Sequence, residues 1–88
     1  MTLNDALAKI SATYCSGDFL KAMVEGLMPG WHIETWDCDE YNTSLTSNVL
    51  DYIIGEIKDG RTEIQHSEWC TDSCSVYYFV VATRKPKD

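Results

Sequence analysis

Residues 74–84 read Cys-Ser-Val-Tyr-Tyr-Phe-Val-Val-Ala-Thr-Arg, and from Val76 to Ala82 every position is apolar or aromatic. A strand with one face in water alternates, whereas one covered on both sides does not. This segment is therefore expected to be the central strand of a sheet, and the other elements must supply its neighbours and its two covers. Immediately upstream, residues 61–70 set Thr62, Ile64, His66 and Glu68 on one face of a second strand. Thr71-Asp72-Ser73 lies between the two, and a connection of about three residues joins antiparallel neighbours.

Further upstream, Asn42-Thr43 can cap a helix whose stripe of Leu45, Val49, Leu50, Ile53, Ile54 and Ile57 ends before Asp59-Gly60. The expectation is that this stripe is buried on the sheet. Gly55 lies inside that helix, where it costs about 1 kcal/mol relative to alanine. Close packing on the sheet, or on a partner, would account for it. A period of two returns over 31–38, with Trp31, Ile33 and Thr35 on one face and His32, Glu34, Trp36 and Cys38 on the other. Two helices precede that strand. Thr2 and Asp5 resemble an N-cap arrangement ahead of Leu3, Leu7, Ile10 and Tyr14, which predicts a helix over 3–14. After Cys15-Ser16-Gly17, the residues Phe19, Leu20, Met23, Val24 and Leu27 mark another that stops at Met28-Pro29-Gly30. The order is α-α-β-α-β-β, an α+β fold with a three-stranded, largely antiparallel sheet.

The chain has 88 residues, which suits one domain over 1–88. Its nineteen Leu, Ile, Val and Phe, with three Trp and five Tyr, exclude wholesale disorder. No apolar run is long enough for a membrane span, and Met1-Thr2-Leu3-Asn4-Asp5 lacks the basic and apolar regions of a signal peptide, so a cytoplasmic location is expected. Arg84-Lys85-Pro86-Lys87 is a basic cluster in which Pro86 ends any strand, and 84–88 is expected to fray.

Charge narrows the function classes. Fourteen acidic residues against seven basic ones give a net charge of -7, which disfavours direct contact with a phosphate backbone. Between Ala22 and Ile57 there is no Lys or Arg, yet Glu25, Glu34, Asp37, Asp39, Glu40, Asp51 and Glu56 all fall there. Glu34, Asp37, Asp39 and Glu40 place four carboxylates within seven residues. As a calcium or magnesium site the cluster lacks the loop spacing and glycine of an EF-hand. As a general acid/base pair it would need a pocket that raises one pKa, for which a small domain has little room. The cluster also reads as a solvated face, or as a surface for a basic partner, for which steep salt dependence is expected. Aromatic anchors lie close by at Trp31, Trp36, Tyr41 and Trp69, and of these Trp36 is expected to be exposed because it shares a face with His32 and Glu34.

Four cysteines and two histidines raise the question of zinc or thiol chemistry. Cys70-x-x-x-Cys74 is half of a zinc motif, which His66 or Cys38 would have to complete, whereas Cys15 and Cys38 stand alone. The plainer reading makes Cys70 and Cys74 cross-strand neighbours flanking the hairpin turn. A thiolate nucleophile built from Cys38 with His32 or His66 has no support in the local sequence, and no nucleophile elbow, HExxH, P-loop or dinucleotide fingerprint occurs.

The reading that follows is a non-enzymatic protein without a cofactor, which covers a basic surface of a partner through Glu34, Trp36, Asp37, Asp39, Glu40, Tyr41, Asp51 and Glu56. In size, acidity, aromatic content and want of a catalytic motif, the chain is similar in kind to the inhibitors that phages and mobile elements direct at host nucleic-acid-binding enzymes, anti-restriction and anti-CRISPR proteins among them. That likeness covers no motif and implies blockade of a basic site. A zinc- or thiol-dependent regulatory domain around Cys70 and Cys74, and an immunity or antitoxin protein for a basic nuclease, are the alternatives. The edge of the 61–70 strand also offers a route to a symmetric dimer, discouraged by Glu63 and Glu68.

Overall fold

Ser16 starts a helix: its hydroxyl accepts from Phe19 N–H at 3.2 Å and caps α2 (Gly17–Leu27). The preceding α1 (Leu3–Ala8) begins with the Thr2/Asp5 capping box. It is shorter than its apolar spacing predicts, because Lys9 and Ile10 turn their N–H groups back by three residues, to Ala6 and Leu7, and tighten the chain out of the α-helix. Ile10 is buried all the same. The remaining elements are β1 (His32–Asp37), α3 (Leu45–Lys58), β2 (Glu63–Cys70) and β3 (Tyr77–Arg84). The computed structural model describes residues 1–10, 16–37, 45–70 and 77–87. The order and the α+β class are those read from the sequence.

The sheet runs β1-β3-β2, with both pairs antiparallel, so the segment that is apolar on both sides is the central strand. Cys70 pairs with Tyr77 at the end of the β2–β3 ladder. The reading that makes Cys70 and Cys74 cross-strand neighbours falls on Cys74, outside the described residues. Arg84 stays in β3, pairs with Glu63 and lies 4.3 Å above the Trp31 ring, so the frayed tail does not begin there. Cys15, Cys38, Cys74, Tyr14 and the Asn42-Thr43 cap lie outside the described residues.

Pairing register divides the side chains into two layers. On one face Ile33, Val80, Ala82, Tyr78 and Trp69 meet Leu3, Ala6, Leu7, Ile10, Leu20, Val24 and Met28 from α1 and α2 in one apolar cluster. Polar groups at its margin are matched: Gln65 Oε1 accepts from Leu3 N–H at 2.7 Å, and the Ser67 hydroxyl donates to Asn4 at 2.6 Å. Gly17 seats α2 closely, since a Cβ there would lie 3.3 Å from the Tyr78 ring and 3.4 Å from Thr35 Oγ1. At the other end of α2, Gly30 takes φ +88° and turns the chain into β1.

The opposite face carries α3, and here the expectation fails. Val49 is buried, but Leu50, Ile54 and Ile57 are 53, 49 and 45 % exposed, and the side chain α3 buries near its C-terminus is Glu56. The helix is present but turned about its axis from the orientation its apolar stripe predicts. Gly55 is not explained by packing on the sheet either, as a Cβ added there meets nothing within 4 Å. Among the described residues no helix is long and apolar enough to cross a membrane.

Candidate functional site

The anchor of α3 is assembled by its C-terminal turn. Gly60, at φ +90°, lets Arg61 N–H reach back to Glu56 C=O at 2.9 Å and Gly60 N–H to Ile57 C=O at 2.9 Å, the paired bonds of a Schellman motif. That turn returns Arg61 to the side of Glu56. Arg61 Nε donates to Glu56 Oε2 at 2.8 Å, with Nη2 at 2.6 Å, and Nη2 also reaches Asp59 at 2.7 Å. Oε1 accepts from the Tyr52 hydroxyl at 2.7 Å and from the Thr83 hydroxyl at 2.8 Å. Thr83 is fully buried on the central strand, so the carboxylate ties α3 to the middle of the sheet.

These contacts decide the protonation of Glu56. Burial pushes its pKa up, but hydrogen bonds from Arg61, Tyr52 and Thr83 outweigh burial and hold it down to about 2, from an ordinary 4.5. For Tyr52, burial together with the hydrogen bond to Glu56 pushes the phenol well above its ordinary range. The ionised carboxylate is fully used inside the protein. A nucleophile or proton donor would need a free lone pair or a mobile proton, so the arrangement is a structural clasp.

Beside the clasp, a groove of about 340 Å³ follows the outer side of β1 between α2 and α3, lined by Lys21, Glu25, His32, Glu34, Tyr52 and Glu56 among others. β1 is an edge strand, yet its edge is guarded. Glu34 Oε1 accepts from Thr35 N–H at 3.1 Å, while Glu34 Oε2 lies 3.8 Å from Lys21 Nζ of α2. A carboxylate placed over a backbone donor discourages pairing by another strand. His32 Nδ1 lies 3.7 Å from Glu56 Oε1.

Of the residues singled out by sequence, Glu34 and Glu56 line this groove, Asp37 is exposed at the end of β1, and Asp51 is exposed on α3. Glu56 is only 5 % exposed, so it cannot belong to an outward acidic surface. Trp36 is half-buried rather than exposed, its ring edge-on to Tyr52 at 5.2 Å beneath α3. Trp69 belongs to the apolar core cluster, and Trp31 packs against that cluster. Asp39, Glu40 and Tyr41 lie outside the described residues. The reading missed Glu25, Tyr52, Arg61 and Thr83. For the clasp a signal existed: Arg61 follows Glu56 by five residues across Gly60, the spacing that a Schellman turn closes.

The zinc alternative loses one of its combinations. His66 and Cys70 are four residues apart on one strand, roughly 13 Å at the strand rise, too far to ligate one ion. Among the described residues no group of three or more His, Cys, Asp or Glu side chains could hold a metal ion. Comparison of the chain with family models, curated proteins and solved structures gave no match.

Proposed function

We propose that the protein is a non-enzymatic binder that covers a basic surface on a partner protein and blocks it sterically and electrostatically. The observation that carries this reading is the acidic wall along β1: Glu25 from α2 and Glu34 from the strand line one groove, and the strand then leads through exposed Asp37 into the sequence of Asp39 and Glu40. The wall stands in a chain of net charge -7, whose long-range field favours encounter with cationic surfaces. Because Glu34 guards the strand edge, recognition uses side chains and not strand addition. A surface that binds nucleic acid is the natural target, since it presents spaced cations to anions. The partner is then a nucleic-acid-binding enzyme, and the protein an inhibitor of the kind phages and mobile elements carry against host defence.

The test is recovery of a partner from host lysate at low and high salt, comparing the wild type with a Glu25→Gln, Glu34→Gln, Asp37→Asn, Asp39→Asn, Glu40→Gln variant of matched thermal stability. The proposal expects a basic protein held by the wild type alone, released as salt rises, whose nucleic-acid binding the wild type inhibits. Equal recovery by both forms, or a partner whose nucleic-acid binding is untouched, overturns it.

A further inference from the structure

The face on which α3 lies is only half covered. Contacts of α3 with the sheet fall on β1 and β3, through Trp36 to Tyr52 and Thr83 to Glu56, while the β2 residues on that face, Ile64, His66, Glu68 and Cys70, are exposed. Beside this bare strip runs the outward stripe of α3, Leu50, Ile54 and Ile57, and near its start an apolar hollow of about 180 Å³ opens between Leu45, Val49, Leu50 and Phe79. Large apolar side chains grouped in this way mark an interaction surface.

Three features of the face select its occupant. The stripe is spaced four residues and then three, the rhythm with which one helix packs along another. Asp51 and Lys58 flank it on the same side two turns apart, so an antiparallel copy of the helix sets each Asp51 against the other chain's Lys58. The face also carries charges of both signs, with Asp51, Lys58, Asp59, Glu68 and Lys85 exposed on or beside it, so two chains of charge -7 meet there with less repulsion than along the acidic side of β1. A basic partner would find little to hold on this side.

We infer that the α3–β2 face is a two-fold homodimer interface, in which α3 packs antiparallel on α3 of a second copy and the apolar stripes cover each other's bare β2 strip. An isologous contact of this kind is self-complementary by construction. Fourteen helical residues beside an eight-residue strand offer a footprint of roughly 20 by 20 Å per copy, about 800 Å² over both copies, smaller than a standard specific interface, so the dimer is a weak, concentration-dependent one.

Sedimentation velocity from about 5 µM to 1 mM tests it, with far-UV circular dichroism to verify each fold. The wild type is expected to shift from monomer to dimer across this range, and Ile54→Glu to stay monomeric. Asp51→Lys or Lys58→Asp alone weakens the dimer at least several-fold, and the two together restore it. A wild type that is monomeric throughout overturns the inference. So does a dimer that survives Ile54→Glu, or one that is indifferent to both charge reversals, since either would place the contact on another surface. These readouts use the chain alone, so they stand or fall apart from the proposed basic partner.

Discussion

The two faces of the sheet are held by different physics. Under α1 and α2, a continuous set of aliphatic and aromatic side chains excludes water, and polar groups appear only at the rim. Under α3, the contact near the centre of the sheet is a carboxylate with three donors, and Leu50, Ile54 and Ile57 of the helix point away from it while Val49 is buried. The first face gains from area removed from water and is tolerant of detail. The second depends on a complete set of hydrogen bonds, because an ion taken out of water is stabilised only while its partners remain. A helix fixed by a charge is also free to present its apolar side outward, which is how this small chain comes to expose Leu50, Ile54 and Ile57.

The comparison can be broken by mutation. Leu20→Ala, fully buried on the first face, is expected to lower unfolding free energy by about 3 to 4 kcal/mol, read by urea denaturation, because it leaves a cavity in an apolar cluster. A loss below about 1 kcal/mol would show that this face is loosely packed. Glu56→Gln keeps the shape of the clasp but loses the charge that Arg61 faces, and a loss of about 2 kcal/mol is expected. Stability unchanged by that substitution would mean that the ion pair holds nothing.

The pH dependence follows from the direction of the same shift. The folded pKa of Glu56 lies below its unfolded value, so the contribution of the clasp is complete above about pH 4.5 and is lost as pH falls toward 2. Glu56→Gln should therefore flatten the acid limb of a plot of stability against pH. Tyr52 acts at the other end: its folded pKa is raised, so the contribution is complete below the unfolded value of 10 and is lost as pH rises above it. Tyr52→Phe should remove that alkaline fall. The smallest effect separates two glycines. Gly55→Ala meets open space in a helix interior and should stabilise by about 1 kcal/mol, whereas Gly17→Ala on the packed face, pressed against Tyr78, should give no such gain. Equal effects at both positions would erase the contrast in packing.

The same division explains what could be read in advance. The unbroken apolar run at 77–82 announces a central strand, and the period of two in β1 announces its faces, because burial by area leaves a periodic trace. The orientation of α3 leaves the wrong trace. Its apolar stripe is real, but the residue that fixes the helix is an acid that sequence alone groups by charge with the exposed Asp51. Burial of Glu56 depends on Thr83, which is distant in sequence and meets it only once β3 is central. For the acidic surface, sequence supplies the residue types, and folding sorts them: Glu34 stays in the groove, Glu25 joins it from α2, and Glu56 turns inward.

The most direct test is a carbon-detected titration of the Glu56 side-chain carboxyl by nuclear magnetic resonance, on the folded protein. The clasp predicts a midpoint near pH 2, well below the ordinary 4.5 of a glutamate. A midpoint near 4.5 would contradict it, because a carboxylate that titrates as if in water cannot be the group that holds α3 with its apolar stripe turned outward.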